Sequence, residues 1–471
     1  MEDILALTAV EMRQAIGARR LGVREVVAAH VNRAERLNPQ INAIVSPAYE
    51  QALNAADEAD RAAASRGFEM GPLFGLPVAH KDSFHARGFP TTCGCTALRN
   101  AVAECDSVVV ARQRAAGAIT LGKTNMSELG AGSHTFNDLF GATRNPYVPA
   151  LSSGGSSGGA AAALACGFVA LADGTDMGGS LRNPPGWCSV VGLRPTVGRV
   201  PMAPAAMAYN ALTVAGPMGR TVDDVTLMFG VLAGEDHEDP LSQSAGSSSW
   251  LAPPVDPRRV KIAVSPRLGG LPFEPGVLEA FERTVGQLEA MGCAVTVDEP
   301  DFRGADSAFE ALRALAFATN FGPLRHRHGD MLGESVRWNI DQGLALNGSV
   351  LAEAERSRAA VMLRMRRFMA RYDFLVAPVS QVPSFPVETD FPREIAGVPM
   401  ENYIAWMRSC SRLSVTGHPI LAMPSGYLAG GIPVGIQIVG RWRAERELLA
   451  FGRTFEQAWP IHRTRPACTR P

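Results

Sequence analysis

Two glycine-rich segments flank a strongly apolar run in the first half of the chain. The glycines lie in 154–159 and 174–180, and the alanine-rich run between them, 160–172, is predicted to form a helix. A helix that is apolar all round has to be buried. The glycine-rich segments beside it are therefore predicted to lie inside the fold, where glycine permits close approach of a backbone or a ligand. A flexible Gly/Ser linker, the alternative for the first segment, would leave the buried helix unexplained.

Apolar patterns typical of helices and strands alternate along the chain, which favours a sheet covered by helices. The predicted helices cover 8–16, 23–36, 50–66, 107–116, 275–291 and 444–458. The predicted strands lie near 71–80, 118–121, 260–264, 374–377 and 434–439. Asn38-Pro39 is predicted to end the second helix, and 301–371 is the least regular stretch. We expect an α/β fold with one domain over 1–471, whose central mixed, mostly parallel sheet is covered by helices on both faces.

The charge balance and the apolar pattern argue against several classes of protein. The formal net charge is -1 at pH 7, so the chain offers no basic field for nucleic acid or for an anionic membrane surface. The N-terminal residues lack the basic start and apolar stretch of a signal peptide, and no run of about 18 apolar residues occurs. We expect a cytoplasmic protein that acts on a small molecule, without nucleic acid or a membrane as partner.

The cysteines do not indicate a disulfide or metal framework. Eight cysteines in 471 residues are too few for a disulfide scaffold, and reduced thiols are expected. Cys93 and Cys95, with His80 and His85 nearby, invite a zinc interpretation, but one C-x-C pair without a second pair is a weak signal. No metal and no organic cofactor is predicted.

Both glycine-rich segments carry serine hydroxyls on backbone that is free of bulky side chains. Ser156 lies in the first segment, and Ser180 ends the second. Successive backbone N–H groups can bind a developing oxyanion, and the second segment offers those of Met177, Gly178, Gly179 and Ser180. The pattern is typical of a serine nucleophile beside an oxyanion hole.

These residues resemble the amidase-signature family. The block from Gly154 to Val200 resembles the defining segment of that family nearly residue for residue. Further similar segments lie at 75–82, 121–128, 216–220 and 431–437. The resemblance covers essentially the whole chain, is poorest over 301–371, and implies the fold and the amide hydrolysis of that family.

The resemblance also implies a role for each matching residue. Lys81 corresponds to the general base, Ser156 to a bridging serine on a cis peptide and Ser180 to the nucleophile, with a catalytic core over about 71–225. Gly130 corresponds to a residue whose carbonyl faces the substrate. A Ser-Lys pair activates a hydroxyl without histidine, provided that the lysine is neutral. Its ordinary pKa is about 10.4, so burial must lower it.

Four neighbouring residues are expected to surround this triad. Asp176 and Arg182 correspond to scaffold residues that hold the nucleophile loop, and a surface ion pair is the alternative. Ser133 either bonds to Lys81 or is an ordinary loop serine. Thr175 is expected to be structural.

The resemblance leaves the substrate open, because one catalytic core serves many amides. We expect an aryl or otherwise hydrophobic amide, with esters and carbamates (urethanes) as further substrates. The aromatic residues of 301–371, with Met202, Met207 and Tyr209, either line the pocket or belong to the core. The chain departs from the commonest sequence of the family at Asn183, Trp187 and Val379. An asparagine at 183 offers no cation for a carboxylate, which favours neutral substrates.

Two other functions are compatible with parts of the sequence. The first is that of the glutaminase subunit of a tRNA-dependent amidotransferase, which releases ammonia from glutamine for a partner. The second is nucleotide binding, because 117–124 fits the P-loop pattern G-x-x-x-x-G-K-T. A phosphate loop should follow a strand and open a helix, whereas here a helical pattern precedes Gly117 and 118–121 is itself strand-like.

Overall fold

The computed structural model describes residues 4–65, 67–246 and 249–469. Within these residues thirteen α-helices are found: α1 Ala9–Gly17, α2 Val23–Ile41, α3 Tyr49–Ala63, α4 Val108–Ala115, α5 Gly158–Cys166, α6 Asn183–Cys188, α7 Val222–Leu232, α8 Pro275–Ala290, α9 Ala305–His328, α10 Glu334–Leu344, α11 Gly348–Met369, α12 Arg408–Ser414 and α13 Glu445–Ala458. The six helices predicted outside the run 160–172 are all present with shifted ends. Residue 66, the predicted end of α3, lies outside the described residues.

The strands of the described residues form one large sheet and one small hairpin. Their bounds are β1 Ile44–Pro47, β2 Pro77–Lys81, β3 Ile119–Thr124, β4 Leu171–Asp176, β5 Val191–Arg194, β6 Val214–Gly219, β7 Lys261–Val264, β8 Ala294–Val297, β9 Phe374–Pro378, β10 Glu394–Ile395, β11 Val398–Pro399, β12 Ile420–Tyr427 and β13 Pro433–Gly440. The large sheet has eleven strands in the order β1-β3-β2-β4-β6-β5-β12-β13-β9-β7-β8. β10 and β11 form the hairpin.

The large sheet is mixed, as predicted, but it is not mostly parallel. Parallel pairs join β2 to β3 and β4, and join β7 to β8 and β9. The remaining pairs are antiparallel, including β4 with β6 and β12 with β13. In the middle of the sheet, neighbouring strands run in opposite directions. The alternation of helices and strands in the sequence does not reveal the direction of each strand.

Helices cover both faces of this sheet, as expected. Successive side chains of a strand point to opposite faces, and β9 follows this rule: Phe374 and Val376 belong to one core cluster, whereas Leu375 and Ala377 belong to the other. The first cluster also contains buried residues of α2, α5, α7 and α13. The second contains buried residues of α9, α11 and α12.

Two predicted helix ends differ from the structure. The run 160–172 is not one helix: α5 ends at Cys166, Gly167 takes the left-handed conformation with φ 70°, and β4 begins at Leu171. A glycine C-cap of this kind commonly ends a helix. Likewise, α2 does not end at Asn38-Pro39 but continues to Ile41. Its end is stabilised by Asn38 Oδ1, which accepts from the N–H groups of residues 43 and 44 at 2.8 and 2.9 Å.

The stretch 301–371 is regular rather than irregular. It contains the whole of α9, α10 and α11, and α9 continues through Pro323. Buried residues of α9 and α11 share the core cluster of one sheet face, and Phe317 of α9 packs with Val336 and Ile340 of α10. Tertiary packing of this kind outweighs weak local propensity. In the part of the chain that the structure describes, none of the helices has the length and apolar character needed to cross a membrane.

Candidate active site

Lys81 is the last residue of β2 and is fixed there by Asp173 on the neighbouring strand β4. The Lys81 backbone N–H donates to Asp173 Oδ1 at 2.7 Å, and His80 Nδ1 lies 2.6 Å from Asp173 Oδ2. Gln113 Nε2 donates to the same oxygen at 2.9 Å. From the sequence, His80 was considered only as a zinc ligand, and Asp173 and Gln113 were missed. The one local signal was that His80 directly precedes Lys81.

The side-chain nitrogen of Lys81 is buried among three hydroxyl groups. This Nζ lies 2.7 Å from Ser156 Oγ, 2.9 Å from Ser157 Oγ and 2.8 Å from Thr175 Oγ1. The residue is fully buried. Burial lowers the Lys81 pKa to about 7, against the opposing pull of Asp176 and weaker neighbours. A substantial fraction of the side chain is therefore a neutral amine near pH 7.

Ser156 connects Lys81 to Ser180. Ser156 Oγ and Ser180 Oγ are 2.9 Å apart, and the Ser156 N–H donates to Ser180 Oγ at 2.8 Å. The peptide bond between Gly155 and Ser156 is cis. The structure thus brings the three residues together in one continuous series of hydrogen bonds, with Ser180 Oγ at its end and in the wall of a cleft.

Asp176 holds the loop that carries Ser180. Its carboxylate accepts the N–H of Gly179 at 2.8 Å and that of Leu181 at 3.1 Å. Arg182 Nε donates to it at 2.9 Å and Arg194 Nη1 at 3.0 Å. Burial alone would raise the Asp176 pKa, but the two guanidinium groups outweigh it and hold the pKa well below its usual range. Asp176 and Arg182 therefore form a buried scaffold rather than a surface ion pair. Arg194 was not identified from the sequence.

The four predicted oxyanion donors are not equivalent. The Gly179 N–H is committed to Asp176. The hydrogen bonds of the described residues do not engage the N–H groups of Met177, Gly178 or Ser180, and all three residues line the cleft. The geometry leaves these three donors available beside Ser180 Oγ.

Gly130 and Ser133 belong to the segment that follows β3. Gly130 has φ 77°, and a Cβ added there would lie 3.8 Å from Ser156 Oγ. Both residues line the cleft. The hydrogen bonds of Lys81 Nζ among the described residues go to Ser156, Ser157 and Thr175, not to Ser133. Ser157 thus takes the place predicted for Ser133, and Thr175 contacts the triad directly rather than serving only as structure.

The cleft in front of Ser180 has a volume of about 660 Å³. Its wall includes the apolar side chains of Met126, Leu129, Met202, Met207, Phe317 and Phe321. Of the other aromatic candidates, Phe302 and Phe309 are buried in the second core cluster, and Tyr209 is exposed. The stretch 301–371 therefore contributes both to the cleft and to the core.

The zinc and nucleotide interpretations do not fit the geometry. In the described ranges no group of three or more His, Cys, Asp or Glu side chains is placed to hold a metal ion. Residues 119–124 form the strand β3, and α4 precedes them. Lys123 is fully buried and donates to the carbonyls of Phe84 and Pro90 at 2.7 and 3.2 Å. A lysine held in this way cannot reach a bound phosphate.

Comparison with known proteins places the chain in a family. The family model described as Amidase matches residues 25–449. An acylamidase of Rhodococcus erythropolis is 34% identical over 473 residues, covering 98% of this chain and 97% of the relative. A glutamyl-tRNA(Gln) amidotransferase subunit of Symbiobacterium thermophilum is 30% identical, covering 98% and 99%. The crystal structure of a bacterial aryl acylamidase of the amidase signature family superposes with a TM-score of 0.90 and 28% identity, covering 98% and 99%. The chain therefore belongs to the amidase family and is an amide hydrolase.

Proposed function

We propose that this chain hydrolyses aryl and other hydrophobic amides as a free-standing enzyme, through an acyl-enzyme on Ser180. The observation that carries the proposal is the unbroken connection from Lys81 Nζ through Ser156 Oγ to Ser180 Oγ, at 2.7 and 2.9 Å. A neutral amine at one end and a cleft at the other are what a serine nucleophile without histidine requires.

In the first step Lys81 Nζ takes the proton of Ser156 while Ser156 Oγ takes the proton of Ser180. Ser180 Oγ attacks the carbonyl carbon of the amide. The negative charge on the carbonyl oxygen is stabilised by the free N–H groups of Met177, Gly178 and Ser180, while the Gly179 N–H keeps the loop on Asp176. Lys81 is an ammonium at this stage.

In the second step the tetrahedral intermediate collapses and the C–N bond breaks. The proton returns from Lys81 through Ser156 to the departing amine nitrogen, so the amine leaves neutral and Lys81 is again an amine. Water then enters and loses a proton to the same relay as it attacks the acyl carbon. The acid leaves, and Ser180 Oγ regains its proton. The cycle uses no cofactor.

The character of the cleft supports an aryl or hydrophobic substrate. Phe317 and Phe321 of α9 provide aromatic surface on its wall, and Met202 and Met207 provide flexible apolar surface. The names of an acylamidase and an aryl acylamidase among the similar proteins point the same way. Esters and carbamates present the same acyl carbon to Ser180, and we include both as secondary substrates.

The second candidate function is glutamine hydrolysis as the glutaminase subunit of a tRNA-dependent amidotransferase. The sequence identity of 30% over nearly the full length of such a protein favours it. The activity of the isolated chain, measured without a partner, distinguishes the two functions. We expect the purified chain to release 4-nitroaniline from neutral 4-nitroanilides without a partner. A chain that is silent on anilides, carbamates and esters and hydrolyses glutamine only with a partner would overturn the proposal.

The proposed roles are tested by Ser180→Ala, Ser156→Ala and Lys81→Met. Members of one relay fail together, so each should lower kcat by about 10⁴-fold or more. A fluorophosphonate should label the wild type and not Ser180→Ala, which identifies the nucleophile. Ser349→Ala, an exposed serine on α11, is the matched control and should keep its rate. Labelling of another residue, or a near-normal rate in Lys81→Met, would contradict the assignment.

A further inference from the structure

Arg313 on α9 lines the catalytic cleft without a carboxylate partner. Its side chain is buried, with 2% of the residue exposed, and it faces the same cavity as Ser180. None of the ion pairs found among the described residues includes Arg313. A guanidinium that is taken out of water without a counter-charge is unfavourable, so buried arginines are normally paired.

The hydrogen bonds of Arg313 do not supply the missing charge. Nη2 donates to the hydroxyl of Tyr403 at 2.9 Å, and Nη1 donates to the sulfur of Met177 at 3.3 Å. A thioether sulfur is a weak acceptor, and a phenol is uncharged. The buried Nε has no hydrogen-bond partner among the described residues. The guanidinium therefore keeps unused donor capacity, and its central carbon lies over the ring of Phe317, 4.5 Å from the ring centroid.

The other three buried arginines of the described residues all reach charged or carbonyl oxygen acceptors, although the Nε of Arg194 and of Arg220 is also without a hydrogen-bond partner there. Arg182 and Arg194 share the carboxylate of Asp176. Arg220 donates to the backbone carbonyls of Leu5 and Leu7. Arg313 differs from all three because, within the described ranges, it reaches neither a carboxylate nor a carbonyl oxygen.

The cleft itself offers no competing anion to Arg313. Among the described residues that line it, Asp239 is the one carboxylate. Asp239 accepts the backbone N–H groups of Met202 and Leu241 at 2.9 and 2.8 Å, so each of its carboxylate oxygens already has a backbone donor. The described lining of the cleft therefore offers Arg313 as a cation that is free to bind an anionic group.

We propose that Arg313 binds a carboxylate of the substrate, so that the preferred substrates are hydrophobic amides carrying a carboxylate on the acyl or the amine side. The inference rests on the proposed function, which places the scissile carbonyl at Ser180. Met177, whose sulfur contacts Arg313, lies in the same loop as Ser180, so the cation flanks the reacting carbonyl. A carboxylate there accepts two parallel N–H bonds from the guanidinium.

This assignment replaces the expectation of neutral substrates that was based on Asn183. Asn183 is buried in α6 and is absent from the described residues that line the cleft. Its lack of charge therefore does not decide what the cleft accepts. The cation comes instead from α9, in the stretch where the family resemblance is poorest.

Two pairs of substrates that match in shape test the proposal on the wild-type enzyme. On the acyl side, succinyl 4-nitroanilide is compared with 4-methylpentanoyl 4-nitroanilide. On the amine side, N-acetyl-4-aminobenzoate is compared with N-acetyl-4-isopropylaniline. A charge-assisted bidentate contact predicts that kcat/KM favours the carboxylate by about 10- to 100-fold in at least one pair. Equal kcat/KM within both pairs would overturn the inference.

Variants then assign the preference to Arg313. In Arg313→Met the preference for the carboxylate should fall by about 10- to 100-fold, and Arg313→Lys, which keeps the charge but not the bidentate geometry, should retain part of it. Arg325→Met is the matched control, since Arg325 lies on the same helix and pairs with Asp341, and it should keep the wild-type preference. A preference that is unchanged in Arg313→Met would overturn the inference.

The ratio of two substrates does not depend on the amount of folded enzyme, so a poorly folding variant still gives a decisive value. If Arg313→Met yields no active protein, the wild-type pairs and Arg313→Lys decide. Failure of this inference is distinct from failure of the proposed function. An enzyme that hydrolyses all four amides with no charge preference refutes only the role of Arg313, whereas an enzyme that hydrolyses none of them refutes the proposed function.

Discussion

Lys81 Nζ lies 2.9 Å from the hydroxyl of Ser157, the residue that directly follows the proposed bridging serine. Ser157 Oγ donates its own hydrogen to the carbonyl of Thr175 at 3.3 Å, which leaves its lone pairs for Lys81. Thr175 Oγ1 is a second acceptor, at 2.8 Å. A neutral amine has two N–H groups and one lone pair. With both N–H groups directed to Ser157 and Thr175, the lone pair faces Ser156.

Ser157→Ala is therefore expected to leave Lys81 in place as the proposed base but to loosen the orientation of its amine. We expect kcat to fall by about 10- to 100-fold with little change in KM, because the lone pair is no longer oriented. The acid limb of the kcat profile should move to lower pH, because a hydroxyl acceptor stabilises the ammonium more than the amine. Steady-state kinetics from pH 5.5 to 9 measure both effects. Thr175→Ser keeps its hydroxyl and serves as the control, and a profile that does not move would reduce Ser157 to a packing role.

The pKa of Lys81 predicts how activity depends on pH. The relay needs the neutral amine, and burial lowers the Lys81 pKa to about 7. The value of kcat/KM should therefore rise tenfold per pH unit below about 7 and level off above it. A profile that is flat from pH 5.5 to 9, or whose acid limb lies near 10, would show that Lys81 is not the titrating base.

The same shift predicts a change in stability with pH. The lysine ordinarily titrates near 10.5 and in the fold near 7, so between these values the unfolded chain binds more protons than the folded one. Stability should rise with pH across this window, and at pH 7 and below the buried ammonium site should cost about 2–5 kcal/mol. Lys81→Met should remove this slope in denaturant unfolding at pH 7 and 9. Equal slopes in both proteins would contradict the burial of Lys81.

Local sequence patterns predict those helices and strands whose formation is decided by residues close together in the sequence. The strands at 374–377 and 434–439 were predicted because they are short apolar runs rich in branched residues, and both are present as β9 and β13. The three helices of 301–371 were not, since Pro323 and scattered aromatic residues weaken the helical pattern and long-range packing restores it. The direction of the strands was also missed, because it depends on connections that no local pattern records.

In the candidate site too, residues in local motifs were predicted and residues brought together by long-range contacts were not. Lys81, Ser156 and Ser180 stand in glycine-rich or strand-end motifs that a single stretch of sequence reveals. Asp173 lies 92 residues from its hydrogen-bond partner Lys81, and Arg313 is 136 residues from Met177. Contacts of this kind arise only when the sheet is assembled. Asp173 and Arg313 were therefore missed, whereas the residues proposed to react, and the scaffold residues Asp176 and Arg182 close to Ser180 in the sequence, were named from the sequence.

The carboxylate of Asp176 compensates the charge of two buried guanidinium groups. An asparagine at this position, which is neutral, should not. Asp176→Asn keeps the shape but leaves Arg182 and Arg194 without a counter-charge, which we expect to cost about 3–5 kcal/mol of unfolding free energy. Activity should fall as well, because the same carboxylate holds the Gly179 and Leu181 N–H groups. Urea unfolding measures the loss. Asp301→Asn, which breaks a surface pair with Arg303, is the control and should change stability little.

Gly179 combines two constraints that any side chain would violate. Its φ is 122°, and a Cβ there would lie 2.7 Å from the Cβ of Cys410 and 2.8 Å from its sulfur. Gly179→Ala should therefore shift the loop between Asp176 and Ser180 and move the oxyanion donors, lowering kcat/KM by about 100-fold or more and stability by about 1–3 kcal/mol. Gly286→Ala is the matched control: Gly286 lies in α8, and the added Cβ would meet no described atom within 4 Å apart from the neighbouring backbone of its own helix, so the same change should leave activity intact and stabilise the helix by up to about 1 kcal/mol. Wild-type activity in Gly179→Ala would show that the position of the oxyanion loop does not limit the reaction.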